Sequence, residues 1–312
     1  MKYLHLFETE TAFNSTYNGE GYEEPWVSYT EEAERVNYNK TEEQKLLETP
    51  LTFEITSNGN ITWKAYSTAY TLSIDYKKNN GEWTEITAAT GNSAPTISVS
   101  SGDTVQFRGN NDRYCGSDGY FPNAGAGFLT TCSFRLSGNI MSLISKDNFA
   151  SLDDFNLIEA DCSDAFAYLF KDCTELTSAG DLLLPANNVP YCGYYGMFQG
   201  CTSLTTAPAL PATTLWGGWT YNQMFRGCTS LTTAPILPVT TLPGGGYGGM
   251  FSGCTSLTGI TCLATDISGG DCTADWVAGV ASSGTFAKAA SMSSWTTGAN
   301  GIPTNWTVVD AS

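Results

Sequence analysis

Ten cysteines, one histidine and a few pairs of adjacent carboxylates are the residues of this 312-residue chain whose types could do chemistry. The single histidine, His5, excludes His-dependent catalytic triads, and no P-loop, dinucleotide fingerprint, His-Glu-x-x-His or nucleophile elbow occurs. Zinc would need Cys-x-x-Cys or paired Cys and His, and neither spacing is present. Glu23-Glu24, Glu31-Glu32 and Asp153-Asp154 could supply the two carboxyl groups of a glycoside hydrolase. They lie in polar stretches, however, and are expected to be solvated. Gly244-Gly245-Gly246 is not followed by Lys-Ser/Thr, so it suits a tight corner better than a phosphate cradle. The sequence therefore predicts a non-enzyme with no cofactor and no metal.

The cysteines are informative through their spacing. Phe170-Lys171-Asp172-Cys173-Thr174-Glu175-Leu176 recurs with Phe198, Cys201 and Leu204, then with Phe225, Cys228 and Leu231, then with Phe251, Cys254 and Leu257. A fixed period near 27 residues marks a stack of coils, in which no coil buries its apolar face alone and equivalent residues pile into columns. Phe170, Phe198, Phe225 and Phe251 are expected to form one column, the four leucines another, and Cys173, Cys201, Cys228 and Cys254 a third. Reduced, buried thiols are the expected state of that third column, and a disulfide ladder is the alternative.

The elements that position these columns can be read between the anchors. Ala-Pro-x-Leu-Pro recurs at 207–211 and 234–238, where proline cannot join a ladder and must turn the chain. The Ser-Leu-Thr-Thr stretch before it is the expected strand. An aromatic stands four residues before each Phe: Phe166, Tyr194, Tyr221 and Tyr247. This spacing predicts one or two helical turns per coil. The repeat fades after Ser268, and 269–312, with Trp276, Val277, Phe286, Trp295, Ile302, Trp306 and Val308, is expected to be a C-terminal cap.

The Met-Phe-x-Gly-Cys-Thr-Ser-Leu-Thr-Thr-Ala-Pro unit at 197–208 and 224–235 resembles the BspA-like leucine-rich repeat family. The resemblance covers roughly 160–310 and implies a solenoid used as a surface-exposed binding scaffold. The inserts Trp216-Gly217-Gly218-Trp219 and Pro243-Gly244-Gly245-Gly246 depart from that family's unit.

Upstream, apolar and polar residues alternate with period two at Leu51, Phe53, Ile55; Ile61, Trp63, Ala65; Leu72, Ile74, Tyr76; Ile97, Val99; Val105, Phe107; and Phe134, Leu136. Turn signals at Asn58-Gly59, Asn79-Asn80-Gly81 and Ser101-Gly102-Asp103 separate them, predicting an antiparallel sandwich of immunoglobulin-like size. The glycine-rich insert from Gly109 to Thr131 is expected to be an irregular loop, with Asp112 and Asp118 solvated rather than binding calcium. The fold class is thus mainly β with short helices: an antiparallel β-sandwich over 49–147, leucine-rich-type repeats over 148–268 and the cap over 269–312.

Residues 1–48 form the remaining segment, too small to bury much area alone and expected to dock or oligomerise. Lys2-Tyr3-Leu4, Leu6-Phe7-Glu8, Val27-Ser28-Tyr29 and Val36-Asn37-Tyr38-Asn39 resemble N-terminal segments of gut-bacteriophage virion structural proteins. The net charge of −17 argues against nucleic acid or an anionic membrane as a partner. No signal peptide and no run of about 18 apolar residues occurs, so synthesis in the cytosol is expected.

The resulting expectation is a non-enzymatic bacteriophage virion surface protein, as capsid decoration, head fibre or tail fibre. It would dock to other virion proteins through 1–48, form an oligomer, and display the repeats for host-surface or glycan binding.

 The alternative is a BspA-like adhesin on the bacterial cell surface, and a polysaccharide-degrading accessory module is a third possibility resting on exposed aromatics. Ligand contacts are expected at the aromatic corners, on Trp216, Trp219, Tyr191 and Tyr195, which follow the Pro-rich turns of their coils.

Overall fold

The computed structural model describes residues 41–66, 72–111, 114, 116–117, 122–123, 125–153, 155, 163–293 and 295–311. The N-terminal segment up to Lys40 lies outside them, as do Cys115, Asp112, Asp118 and Asp154. The chain divides into two compact units, Met1–Lys45 and Leu46–Ser312, and the second is described here. Among the described residues it is mainly β, with short 3-10 turns.

Its first part is two antiparallel sheets. Strands β1 (Leu51–Ile55), β2 (Gly59–Ala65), β3 (Ser73–Lys78), β4 (Thr84–Thr87), β5 (Thr96–Val99) and β6 (Thr104–Arg108) are followed by the two-residue strands β7 (Gly116–Ser117) and β8 (Pro122–Asn123). Then come β9 (Ala126–Thr130) and β10 (Phe134–Asn139). One sheet contains β10-β1-β6-β3-β4 and the other β5-β2-β9. Alternation decides which residues face inward: in β2, Ile61, Trp63 and Ala65 are buried, and Thr62 and Lys64 are not. The two sheets meet through aromatic rings, with Phe128 of β9 lying 4.9 Å from Phe53 of β1 and 4.7 Å from Phe107 of β6. Each period-two run read from the sequence falls in or beside a strand. The insert from Gly109 to Thr131, expected to be an irregular loop, is corrected: it holds β9 and the paired β7 and β8, and Gly127 interrupts any apolar pattern in β9 as Glu85 does in β4.

Strand β11 (Leu176–Leu183) joins the larger sheet in parallel beside β10, pairing Phe134 with Leu176 and Asn139 with Leu183. From there the chain winds in coils. Parallel bridges link Ser178 with Thr206, and Thr233 with Gly259. They continue through β14 (Gly259–Cys262), β15 (Thr285–Lys288) and β16 (Thr307–Asp310). At another corner, β12 (Asn188–Val189) pairs with β13 (Thr214–Leu215). The expected Ser-Leu-Thr-Thr strand is corrected to its Thr-Thr half: Ser203-Leu204 turns, and Thr205 donates its N–H to the Thr177 carbonyl.

The expected helical turns are also corrected. The ring-bearing segments at 163–172, 191–200, 218–227, 244–253 and 270–279 are continuous turns with no α-helix. Every fourth residue has positive φ: Asp164, Tyr168 and Asp172; Cys192, Gly196 and Gly200; Trp219, Gln223 and Gly227; Gly245, Gly249 and Gly253; Asp271, Asp275 and Gly279. Alternate N–H groups close a turn onto the residue three earlier, as in Leu169 to the Phe166 carbonyl. The remaining ones cross to the next coil, as in Phe170 to the Met197 carbonyl. A four-residue repeat places rings four apart on one side, as a helix does, so spacing alone could not separate the two. Its crossing bonds account for the difference, because they satisfy backbone groups between coils that a helix would satisfy internally.

The fifth segment, 270–279, is a further coil within the region expected to be a cap. It keeps the positive-φ positions while Val277 and Val280 stand where Phe and Cys stood. One hydrophobic core extends from Leu51 in β1 to Trp306, continuous through the sheets and the coils.

Candidate functional site

The columns occupy the centre of this interior. Phe170, Phe198, Phe225 and Phe251 stack with centroid spacings of 5.5, 5.6 and 5.8 Å, and the column starts one layer earlier, at Phe128 of β9, 5.7 Å from Phe170. A second column runs Tyr114, Phe166, Tyr194, Tyr221, Tyr247. Trp276 ends both, at 6.2 Å from Tyr247 and 6.3 Å from Phe251, and it also packs against Trp295 at 5.5 Å and Phe286 at 6.0 Å. Its indole N–H donates to the Gly301 carbonyl at 2.8 Å, which satisfies the only polar atom this buried ring carries.

The four thiols form the third column, free and buried. Each Sγ donates to the carbonyl of the Phe one layer earlier: Cys173 to Phe128 at 3.1 Å, Cys201 to Phe170 and Cys228 to Phe198 at 3.2 Å, and Cys254 to Phe225 at 3.0 Å. Burial pushes the Cys173 and Cys254 thiols up to about 12, and Cys201 and Cys228 well above their ordinary value. Thiols held protonated are hydrogen-bond donors and poor nucleophiles or metal ligands. Their place in the fold is structural.

The four corner rings separate. Trp216 is 67% exposed and Tyr191 40% exposed. The backbone beneath Trp216 is fixed, since its N–H donates to the Val189 carbonyl at 2.9 Å. Gly217 lies against Tyr191 so closely that a Cβ there would come within 2.7 Å of the Tyr191 Cα. Two large rings are thus held on one corner by short backbone contacts. Tyr195 is the correction: it is 5% exposed, packs edge-on against Tyr168 at 5.2 Å and receives a hydrogen bond from Gln223 Nε2 at 2.7 Å. Trp219 is half-buried, its indole lying over Gly245, where a Cβ would come within 2.9 Å of the ring. Tyr195 and Trp219 therefore fold back along the coils, whereas Trp216 and Tyr191 project. Burial could not be read from the sequence because Tyr191 and Tyr195 occur in the same aromatic-rich run, and only the period-four backbone turns one outward and the other inward.

A half-buried indole on the larger sheet was missed. Trp83 lies beneath the Arg108 guanidinium at 4.1 Å and the Lys77 ammonium at 5.0 Å, while Asp75 pairs with Arg108 at 3.3 Å. Strand pairing brings these cations together, Asp75 opposite Arg108, from positions 31 residues apart in the chain. Among the described residues no group of three or more His, Cys, Asp or Glu is placed to hold a metal ion, and no helix is long and apolar enough to cross a membrane.

No family model, no curated protein and no solved structure matches the chain.

Proposed function

We propose that this protein is a non-enzymatic bacteriophage virion surface protein, as capsid decoration, head fibre or tail fibre. In this reading 1–48 docks to other virion proteins, 49–147 is an immunoglobulin-like β-sandwich, and the coils are a leucine-rich-type solenoid carried on it for host-surface or glycan binding. The observation that carries it is the allocation of side chains. Among the described residues, the four thiols of the Cys column and the rings of both aromatic columns lie in a continuous core, while Trp216 and Tyr191 stand exposed on one corner. That is the distribution expected of a scaffold that presents a surface.

The test is direct. Antibody raised against the Leu46–Ser312 unit should label purified phage particles from the source culture, and light scattering of the full chain should give an oligomer. Label on intact bacterial cells and none on particles would replace the virion reading with that of a cell-surface adhesin.

A further inference from the structure

The outer side of the turn segments carries a groove of about 440 Å³ that the exposed corner does not include. Its origin lies in residue size at equivalent positions of successive coils. The third coil presents Trp219, Asn222, Gln223 and Arg226; the fourth presents Gly245, Gly248, Gly249 and Ser252 at the same places. Large side chains next to glycines leave a step, and the fifth coil, with Asp271 and Asp275, forms the other margin.

Gly248 is the informative position. Its φ is not positive, so the backbone does not require glycine there. A Cβ at Gly248 would instead come within 2.5 Å of the Asn222 amide nitrogen, which donates to the Gly245 carbonyl at 2.9 Å. Glycine thus keeps the floor low and the wall upright. Arg226 is held as well, donating to Gln223 Oε1 at 3.1 Å while the other end of that amide donates to Tyr195.

We propose that this groove binds a neutral pyranose segment of a glycan; the proposal rests on the display reading above and moves its ligand contacts from the corner rings to the groove. The walls carry a guanidinium that only donates and two exposed carboxylates that only accept, the complement of neighbouring sugar hydroxyls. The floor of glycine and alanine, with the Trp219 indole at one end, offers flat apolar surface to the C–H face of a ring. Two carboxylates against one guanidinium disfavour an anionic ligand. A peptide strand finds no free edge here, because alternate N–H groups of these segments already cross to the next coil. The volume lies within the ~300–1,000 Å³ of small-ligand sites.

The experiment is an array of neutral and acidic oligosaccharides probed with the full chain, followed by titration of the retained glycans. Wild type should retain neutral hexose oligomers, and Ala278→Phe, which fills the groove, should weaken binding at least tenfold. Asp271→Asn with Asp275→Asn should weaken it similarly at an unchanged melting temperature, and Trp216→Ala should leave it within twofold. Retention of acidic glycans alone, retention of none, or binding lost in Trp216→Ala and kept in Ala278→Phe overturns the proposal. Particle labelling without glycan binding would sink the groove and leave the virion reading; glycan binding without particle labelling would do the reverse.

Discussion

The Cys228 thiol donates to the Phe198 carbonyl at 3.2 Å, across the boundary between two coils. The same carbonyl also accepts the Cys201 N–H at 3.1 Å, which closes the turn within its own coil. One oxygen thus ties a coil to itself and to the next. Native protein without reductant should leave the Cys173, Cys201, Cys228 and Cys254 thiols unreactive to an aromatic disulfide reagent, and unfolding should release them. Four thiols missing in denaturant would mean disulfides. Cys228→Ala should cost about 1–3 kcal/mol from lost volume and the lost bond, measured by urea unfolding.

Ionisation of these thiols gives stability a definite pH dependence. Their folded pKa is raised above the ordinary 9.0, so the folded state holds protons that the unfolded state releases above that pH. Stability from this source is fully present below pH 9 and is lost as pH rises toward about 12. The urea midpoint should be flat from pH 7 to 8.5 and fall beyond it, by at most about 1.4 kcal/mol per pH unit for each thiol. A midpoint that rises between pH 9 and 11 would contradict the buried ladder.

Phe225 has a stacked ring on both sides, at 5.6 and 5.8 Å. Phe225→Ala should cost about 3–5 kcal/mol, whereas Thr213→Ala at an exposed position should stay within about 0.5 kcal/mol. Equal, small effects would remove the Phe column from the core.

Trp276 receives both ring columns, and Asn300 completes the end of the stack by accepting the Asp275 N–H on its side-chain oxygen at 2.7 Å. Trp276→Ala should therefore open the stack from that end. Hydrogen exchange should speed up over 244–310 while Leu51–Asn139 keeps its protection. Uniform loss of protection would mean that the sheets and coils unfold only together.

Much of this was legible from repetition. The Phe, Leu and Cys columns follow from period alone, because stacking equivalent residues is the way each coil buries its apolar face. The start and end of the columns were not legible: Phe128 lies in a strand and Trp276 in a coil with valine at the Phe and Cys positions of the repeat, so neither carries the repeated signature. The floor of the groove was hidden for another reason, since Gly248 is explained by Asn222 on the neighbouring coil and by nothing in its own segment. Glycine and aspartate at four-residue intervals, as at Asp271, Asp275 and Gly279, were the available sign of positive φ. Tyr168, Trp219 and Gln223 at equivalent places obscure it.

That distinction between helix and turn has a sign that can be measured. Gly249, between the Tyr247 and Phe251 rings, has φ +61, and a Cβ there would meet only the flexible Gln223 side chain, at 3.1 Å. Gly249→Ala therefore tests the backbone preference with one side-chain contact to adjust. In a helix interior the change to alanine would stabilise by about 0.5–1 kcal/mol. In the left-handed conformation it should destabilise by about 1–2 kcal/mol, because the Cβ crowds the following carbonyl oxygen. Gly249→Asn should cost less than alanine, since asparagine tolerates that region better. Urea unfolding of the two variants decides it: a stabilised alanine variant would restore the helical reading of the coils, and the order glycine, asparagine, alanine supports the turn repeat.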